Sequence, residues 1–131
     1  MGALTYKYLG DRDLRDAKSL LQSGAYSQAG RFSQQAVEKN LKYFIENNGG
    51  TEDYRLLTIH NTVKLYDKVM ELGGVDFNND DRKMMSMLKD YYYDINYPGD
   101  ECRELTPEES AEAVDFAERF IADIKFTKKE D

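Results

Sequence analysis

Apolar residues recur at spacings of three and four along most of the chain. This is the period of an α-helix with one buried face, and it differs from the alternation of a half-buried strand. The clearest helix is predicted from Tyr26 to about Asn47, where Asn48 and the two following glycines end it. Its apolar face consists of Ala29, Phe32, Ala36, Val37, Leu41, Phe44 and Ile45.

Four further segments have the same period. They are predicted to run from about Asp11 (or a few residues earlier) to Ser23, from Thr58 to Gly73, from Asp80 to Asp94, and from Thr106 to Ile124. The last begins with the capping-box pattern Thr-Pro-Glu-Glu, which is typical of a helix N-terminus. With no strand pattern between them, these segments predict an all-α fold, an antiparallel up-and-down bundle of about five helices with a four-helix core.

The length of 131 residues corresponds to one domain. We expect a single domain over residues 1–126, followed by a charged tail at 127–131. The formal net charge is −7 and the sequence pI is about 4.8. Because phosphate contacts require clustered cations, this balance disfavours non-specific binding to DNA.

Cysteine and histidine each occur once, as Cys102 and His60. One of each excludes a disulfide framework and any single-chain metal site that needs two imidazoles. We therefore predict no metal site and no cofactor. No apolar run approaches the length of a membrane span and no secretory signal is present, so a cytoplasmic protein without a membrane partner is expected.

Arg55 and His60 have the spacing Arg-x4-His, in which an imidazole can move protons while a guanidinium holds a phosphate. The alternative is that His60 lies in the first turn of the third helix and supports local packing. Arg55 precedes the predicted Thr58 cap in an irregular stretch, so no helix fixes its direction. The short spacing alone does not decide between a catalytic pair and a packing role.

Three consecutive tyrosines, Tyr91 to Tyr93, follow one another on the fourth helix. At about 100° per residue they cannot all face one core. Either at least one lines a groove or an oligomer interface, or one is a half-buried ring with its hydroxyl in water. Lys39 and Lys42 lie three residues apart on the polar side of the second helix. They could hold an anion, or they could belong to a solvated face paired with Glu38 and Glu46.

The order of several segments resembles the HEPN family of helical domains. Residues 24–45, GAYSQAGRFSQQAVEKNLKYFI, resemble its first signature, and residues 58–61 resemble the opening of its next helix. Residues 88–92 and 96–100 resemble its tyrosine-rich helix end and the Arg-Tyr-Pro-Asp motif that follows. The alanine-rich segment Ser110–Ile124 resembles its final helix. The similarity covers about residues 10–126.

The resemblance implies a helical bundle that usually forms a homodimer, has a groove proposed to bind nucleotides, and often pairs with a minimal nucleotidyltransferase in toxin–antitoxin or defence modules. This sequence departs from the family pattern at two positions that bear on its function. Asn96 replaces an arginine that is usual in this branch. Leu56 follows Arg55, where the ribonuclease branch usually has a polar residue, while His60 matches the helix-opening histidine of the non-nuclease branch.

Our leading hypothesis is a non-catalytic protein that binds a nucleotide, a minimal nucleotidyltransferase, or both, as a homodimer. The alternatives are a metal-independent ribonuclease that uses Arg55 and His60 across a dimer, and a purely structural interaction bundle. The predicted ligand site lies between the polar side of the second helix and the loop after the fourth. Its candidate residues are Gln35, Lys39, Lys42, Tyr92, Asn96 and Tyr97.

Overall fold

The fold is given by a computed structural model that describes residues 4–96 and 104–126, except for the side chains of residues 94–96. Five α-helices and one 3₁₀ helix make up this part of the chain. They are α1 (Tyr6–Gln22), α2 (Tyr26–Asn48), the 3₁₀ helix (Thr51–Thr58), α3 (Thr62–Glu71), α4 (Asn79–Asn96) and α5 (Pro107–Asp123). No strand occurs among the described residues, and the predicted all-α bundle is confirmed.

Helix α2 is the centre of the bundle, because it packs against all four of the other α-helices. Its predicted apolar face is buried except at Phe32, which is only partly buried. Leu41, Phe44 and Ile45 of this face lie in the main core, together with side chains of α3, α4 and α5 such as Tyr66. Burial of one such side chain contributes about 1.5–3 kcal/mol.

Helix α1 begins at Tyr6, because the Thr5 hydroxyl accepts a hydrogen bond from the backbone N–H of Tyr8 at 3.0 Å. It approaches α2 closely at Gly10, where an added Cβ would lie 2.6 Å from Asn40 Nδ2. The helix ends as predicted, before a glycine with a φ of +86°. The early start brings Tyr6 over the polar side of α2.

Helix α3 begins later than the sequence suggested. The predicted start at Thr58 is wrong, since the first helical residue is Thr62. The N-cap is Asn61, whose side-chain oxygen accepts hydrogen bonds from the backbone N–H groups two and three residues later, at 3.0 and 3.2 Å. His60 therefore precedes the helix and does not belong to its first turn.

The 3₁₀ helix before α3 was not predicted, and Arg55, which was expected in an irregular stretch, lies within it. Asp53 holds this turn in place. Its carboxylate accepts a hydrogen bond from the Gly50 backbone N–H at 3.0 Å and pairs with Lys68 of α3 at 3.1 Å. The Gly50 hydrogen bond, followed by the one from Lys68, lowers the pKa of Asp53 below its ordinary value.

The capping box predicted for α5 is present, with Thr106 and Glu109 exchanging backbone-to-side-chain hydrogen bonds of 3.0 Å. The predicted charged tail at 127–131 and most of the loop that precedes α5 lie outside the described residues. Among the described residues, no helix is both long enough and apolar enough to cross a lipid bilayer.

Candidate functional site: a buried polar cluster on α2

A row of polar side chains is buried along α2. Gln34, Glu38 and Lys42 are spaced four residues apart, so they follow one another along the same side of the helix. Their exposed fractions are 0%, 3% and 4%. Gln34 Nε2 donates to Glu38 Oε1 and Lys42 Nζ donates to Glu38 Oε2, each at 2.8 Å. Charged side chains are rarely buried this fully unless they are paired, and here the carboxylate is the shared partner.

His60 connects this buried row to the surface. Its Nδ1 lies 3.0 Å from Glu38 Oε2, while 43% of its side chain is exposed. An ionised carboxylate only accepts hydrogen bonds, so Nδ1 carries the proton and donates it. Nε2 has no hydrogen-bond partner among the described residues. The ring is thus anchored at one nitrogen and leaves the other for a ligand.

One face of the imidazole is covered by an aromatic ring. Tyr92 of α4 stacks on His60 with 4.5 Å between ring centroids and 17° between planes. Tyr93 meets Tyr92 edge-on at 5.2 Å. Tyr91 is buried and Tyr93 is 48% exposed, so the expectation that the three tyrosines cannot share one core is confirmed. The result is a stacked aromatic pair, half-buried, at the edge of the polar cluster.

Gln35 and Tyr6 border the cluster on its other sides. Gln35 Nε2 donates to Gln34 Oε1 at 2.6 Å. The Tyr6 ring centroid lies 6.0 Å from Lys42 Nζ. Burial, and next the negative charges of Glu46 and Glu38, raise the pKa of Tyr6, so its hydroxyl is protonated at neutral pH and can donate a hydrogen bond.

Within the cluster, the negative charge of Glu38 and the positive charge of Lys42 offset each other. The carboxylate already accepts three hydrogen bonds. The Lys42 ammonium donates one of the three that it can make, and the described residues offer no acceptor for the others. At the surface, the chemistry available to a ligand is therefore an imidazole nitrogen without a partner and an aromatic stack, while the ammonium lies buried beneath them.

Of the six predicted ligand-binding residues, the structure brings Gln35, Lys42 and Tyr92 into this cluster. Lys39 lies apart from them and pairs with the buried carboxylate of Asp13 on α1 at 2.6 Å. Lys39 and Lys42 thus have different partners, and the solvated pairing suggested for Lys42 is corrected to a buried one. The other two candidates, Asn96 and Tyr97, have side chains outside the described part of the chain.

The suggested pair of Arg55 and His60 does not form a contact. Arg55 is exposed on the 3₁₀ helix, where its backbone carbonyl accepts a hydrogen bond from the Thr58 hydroxyl at 2.7 Å. The residue that does bind His60 is Glu38, which sequence reasoning placed on the solvated side of α2. Among the described residues, no group of three or more histidine, cysteine or carboxylate side chains could hold a metal ion.

Sequence reasoning missed Gln34 and Glu38 as members of the site. A signal was present, since polar residues recur every fourth position at 34, 38 and 42, with glutamate four residues before lysine. That order is the favourable one for an ion pair along a helix. The pattern does not reveal whether the pair is exposed, because this depends on the segment that packs over it.

Comparison with known proteins agrees with this architecture. The model of the HEPN domain matches residues 6–127. A solved structure, the crystal structure of TT1696 from Thermus thermophilus, is similar with a TM-score of 0.71 and 27% sequence identity, over 90% of this chain and 91% of that chain. A search of curated protein sequences gave no match. Because the family model covers nearly the whole bundle, the chain belongs to the HEPN domain family.

Proposed function

We propose that this HEPN domain is a non-catalytic binding protein that takes a nucleotide at the polar cluster. The observation that carries the proposal is the His60–Tyr92 stack, held at a buried carboxylate and half-open to solvent. Every nucleobase has a π-face, and stacking on an aromatic side chain contributes about 1–3 kcal/mol per base. The ring pair is already in place before binding, so little ordering is needed.

The neighbouring donors support the same ligand class. The amide of the half-buried Gln35 can donate to an acceptor atom of a base or a phosphate, and the Nε2 atom of His60 offers a second polar contact. The chain as a whole is acidic, with a net charge of −7, and repels polyanions. A single small nucleotide therefore fits the site better than a long nucleic acid, and its affinity should be modest and sensitive to salt.

Titration of ATP, GTP and their monophosphates by calorimetry tests this proposal. Tyr92→Leu should weaken binding about 5- to 150-fold, the range that corresponds to one lost stacking contact. Tyr92→Phe keeps the ring and should bind like wild type. Tyr8→Leu is the matched control, since this exposed tyrosine lies on α1, which contributes neither ring of the stack. Equal binding by the Tyr92→Leu and Tyr8→Leu variants would refute the site.

The proposal includes a minimal nucleotidyltransferase as protein partner, in a toxin–antitoxin or defence-type module, with a cytoplasmic location where nucleotides are available. It is supported by membership in the HEPN family. Co-expression with a nucleotidyltransferase encoded beside this gene, followed by affinity capture of the tagged chain, is the test. Failure of a folded neighbour to co-purify would remove the partner from the proposal.

We further propose that the protein is a homodimer. Exposed apolar side chains such as Leu4 (65% exposed) and Tyr93 would be covered in a two-fold assembly, the commonest closed symmetry. Light scattering should give twice the chain mass of 15.2 kDa at tens of micromolar. A mass equal to that of one chain would refute the dimer.

One observation favours a second candidate function. The Glu38–His60 hydrogen bond fixes the imidazole tautomer and leaves Nε2 free, an arrangement suited to a general base in a metal-independent ribonuclease. Against it, Lys42 shares the same carboxylate oxygen and Arg55 makes no contact with the ring. Wild-type protein should leave a labelled RNA intact. Cleavage that is lost in His60→Ala and in Arg55→Ala would favour the ribonuclease, whereas no nucleotide binding and no cleavage would favour a structural bundle.

A further inference from the structure

The lysine side chains around the polar cluster differ in whether a carboxylate holds them. Lys42 pairs with the buried Glu38 at 2.8 Å, and Lys39 pairs with the buried Asp13 at 2.6 Å. Lys89 of α4 is half-buried, and it makes no hydrogen bond or ion pair with any residue that the structure describes. An ammonium can donate three hydrogen bonds, so Lys89 keeps all of its donors for water or for a ligand.

The position of Lys89 on α4 places it beside the aromatic stack. It precedes Tyr92 by three residues and Tyr93 by four, which are the spacings at which helical side chains are neighbours, with about 5–6 Å between Cβ atoms. At about 100° per residue, Lys89 falls between the two tyrosines around the helix axis, one turn before them. Because Tyr92 stacks on His60, the Lys89 side chain lies next to the ring pair of the proposed site.

The helix around Lys89 offers no carboxylate to neutralise its charge. The residues three and four positions away in either direction are uncharged, namely Met85, Ser86, Tyr92 and Tyr93. Asp90 is adjacent in sequence, but it lies about 100° farther around the helix and is exposed. The chain has 25 acidic residues and 18 basic ones, so a lysine flanked by aromatic rings in this way provides a local positive charge on an acidic protein.

We propose that Lys89 binds the phosphate group of a nucleotide whose base stacks on the His60–Tyr92 pair. A nucleotide joins its base to its phosphate through a single sugar, so the two groups can contact side chains that lie one helical turn apart. The ammonium acts as a point charge on a flexible stem and can follow the phosphate. Lys89 is thus the residue that makes the site prefer nucleotides over nucleosides. This inference rests on the proposed nucleotide site, and it names the residue that determines the ligand class.

Calorimetric titration of adenosine and AMP, which differ only in the phosphate, tests this role. Wild-type protein should bind AMP at least about fivefold more tightly than adenosine, as expected for a charge-assisted hydrogen bond at a partly exposed position. In Lys89→Gln the preference for AMP should disappear, while the affinity for adenosine should stay unchanged because the stack is intact. Unchanged adenosine binding also shows that the variant is folded. Lys89→Arg keeps the charge and should keep the preference.

Two further variants separate a direct contact from general charge attraction. Lys83→Gln removes the same charge from an exposed position on α4, about 120° around the helix from Lys89, and should leave the preference unchanged. Arg31→Gln removes a cation of α2 that also has no ion pair with a described residue, and it should likewise leave the preference unchanged.

The outcomes distinguish the role of Lys89 from the nucleotide site itself. Equal loss of the preference in Lys83→Gln and Lys89→Gln would overturn the contact, as would a preference that survives in Lys89→Gln or is lost only in Arg31→Gln. Equal affinity of wild-type protein for AMP and adenosine would overturn the role of Lys89 and leave the stacking site in place. Binding of neither ligand would refute the nucleotide site and this inference together.

Discussion

Removal of the Glu38 charge should strongly destabilise the fold. Glu38→Gln keeps the length of the side chain and an oxygen for Gln34, but it leaves the Lys42 ammonium without its counter-charge. The Glu38 and Lys42 side chains are 3% and 5% exposed, so water cannot replace the lost partner. Breaking a buried pair on one side costs about 3–5 kcal/mol. That is a large fraction of a typical stability of about 5–15 kcal/mol, and it should lower the Tm on the order of 10 °C.

Urea unfolding followed by circular dichroism, at one fixed protein concentration, measures this cost. The series consists of Glu38→Gln, Lys42→Met and the double variant. Each single substitution leaves one buried charge without its counter-charge, whereas the double variant removes both charges. The double variant should therefore lose less than the sum of the singles, by at least about 1 kcal/mol, the range of coupling expected for groups in contact.

An exposed pair of the same type is the control. Lys7 and Asp11 also lie four residues apart, with 3.1 Å between Nζ and Oδ1, but their side chains are 32% and 39% exposed. Asp11→Asn should cost no more than about 0.5 kcal/mol, because water screens the pair. A Glu38→Gln variant that loses no more stability than Asp11→Asn would refute the argument that burial makes the cluster costly to break.

Three further substitutions probe features away from the cluster. Asp53→Asn should lower the Tm near pH 7. The hydrogen bonds from the Gly50 backbone and from Lys68 lower the pKa of Asp53, so its contribution to stability is lost when the carboxylate is protonated. In thermal melts, the difference in Tm between the variant and wild type should therefore vanish as the pH falls below the ordinary carboxyl pKa of 3.8. A difference that persists at low pH would exclude the charge as its source. Gly74→Ala should lower the free energy of unfolding in urea by about 1–3 kcal/mol, because the added Cβ would lie 2.7 Å from Phe44 Cζ in the core. Unchanged stability would mean that the Phe44 ring moves aside freely. Ser110→Ala should be neutral or slightly stabilising, since the buried hydroxyl has no hydrogen-bond partner among the described residues, and a clear loss of stability would reveal one.

The parts of the fold that depend only on residues within one segment, such as helical periodicity and helix caps, were predictable from the sequence. The helical period identified all five α-helices found in the described part of the chain. Gly24 and the Thr106 capping box marked two of their ends correctly. The 3₁₀ helix at Thr51–Thr58 was missed because part of its support is tertiary. Lys68, which steadies this turn through Asp53, comes from the following helix, and a helical period gives no sign of such a contact.

The site was predictable only in part, for a similar reason. The tyrosine run indicated that the three rings could not all face the core, and the half-buried Tyr92 stacks on His60 at the edge of the cluster. The burial of Glu38 could not be read from α2, because a charged residue on the polar side of a helix is normally solvated. His60, from the chain just before the Asn61 cap of α3, lies 3.0 Å from this carboxylate, and the sequence of α2 gives no sign of that contact.

The energetics of the cluster agree with the binding role proposed for it. Apolar residues of similar volume in place of a buried ion pair are often neutral or stabilising, so folding alone does not require Glu38 and Lys42. What the pair provides is a fixed orientation of the His60 ring, since the carboxylate that Lys42 neutralises is the one that holds Nδ1 at 3.0 Å. A ring held in this way keeps Nε2 and its stacked Tyr92 in position before any ligand arrives, which reduces the ordering cost of binding. If the proposed site binds its ligand, the buried Glu38 and Lys42 therefore contribute by fixing the position of the His60 ring above them.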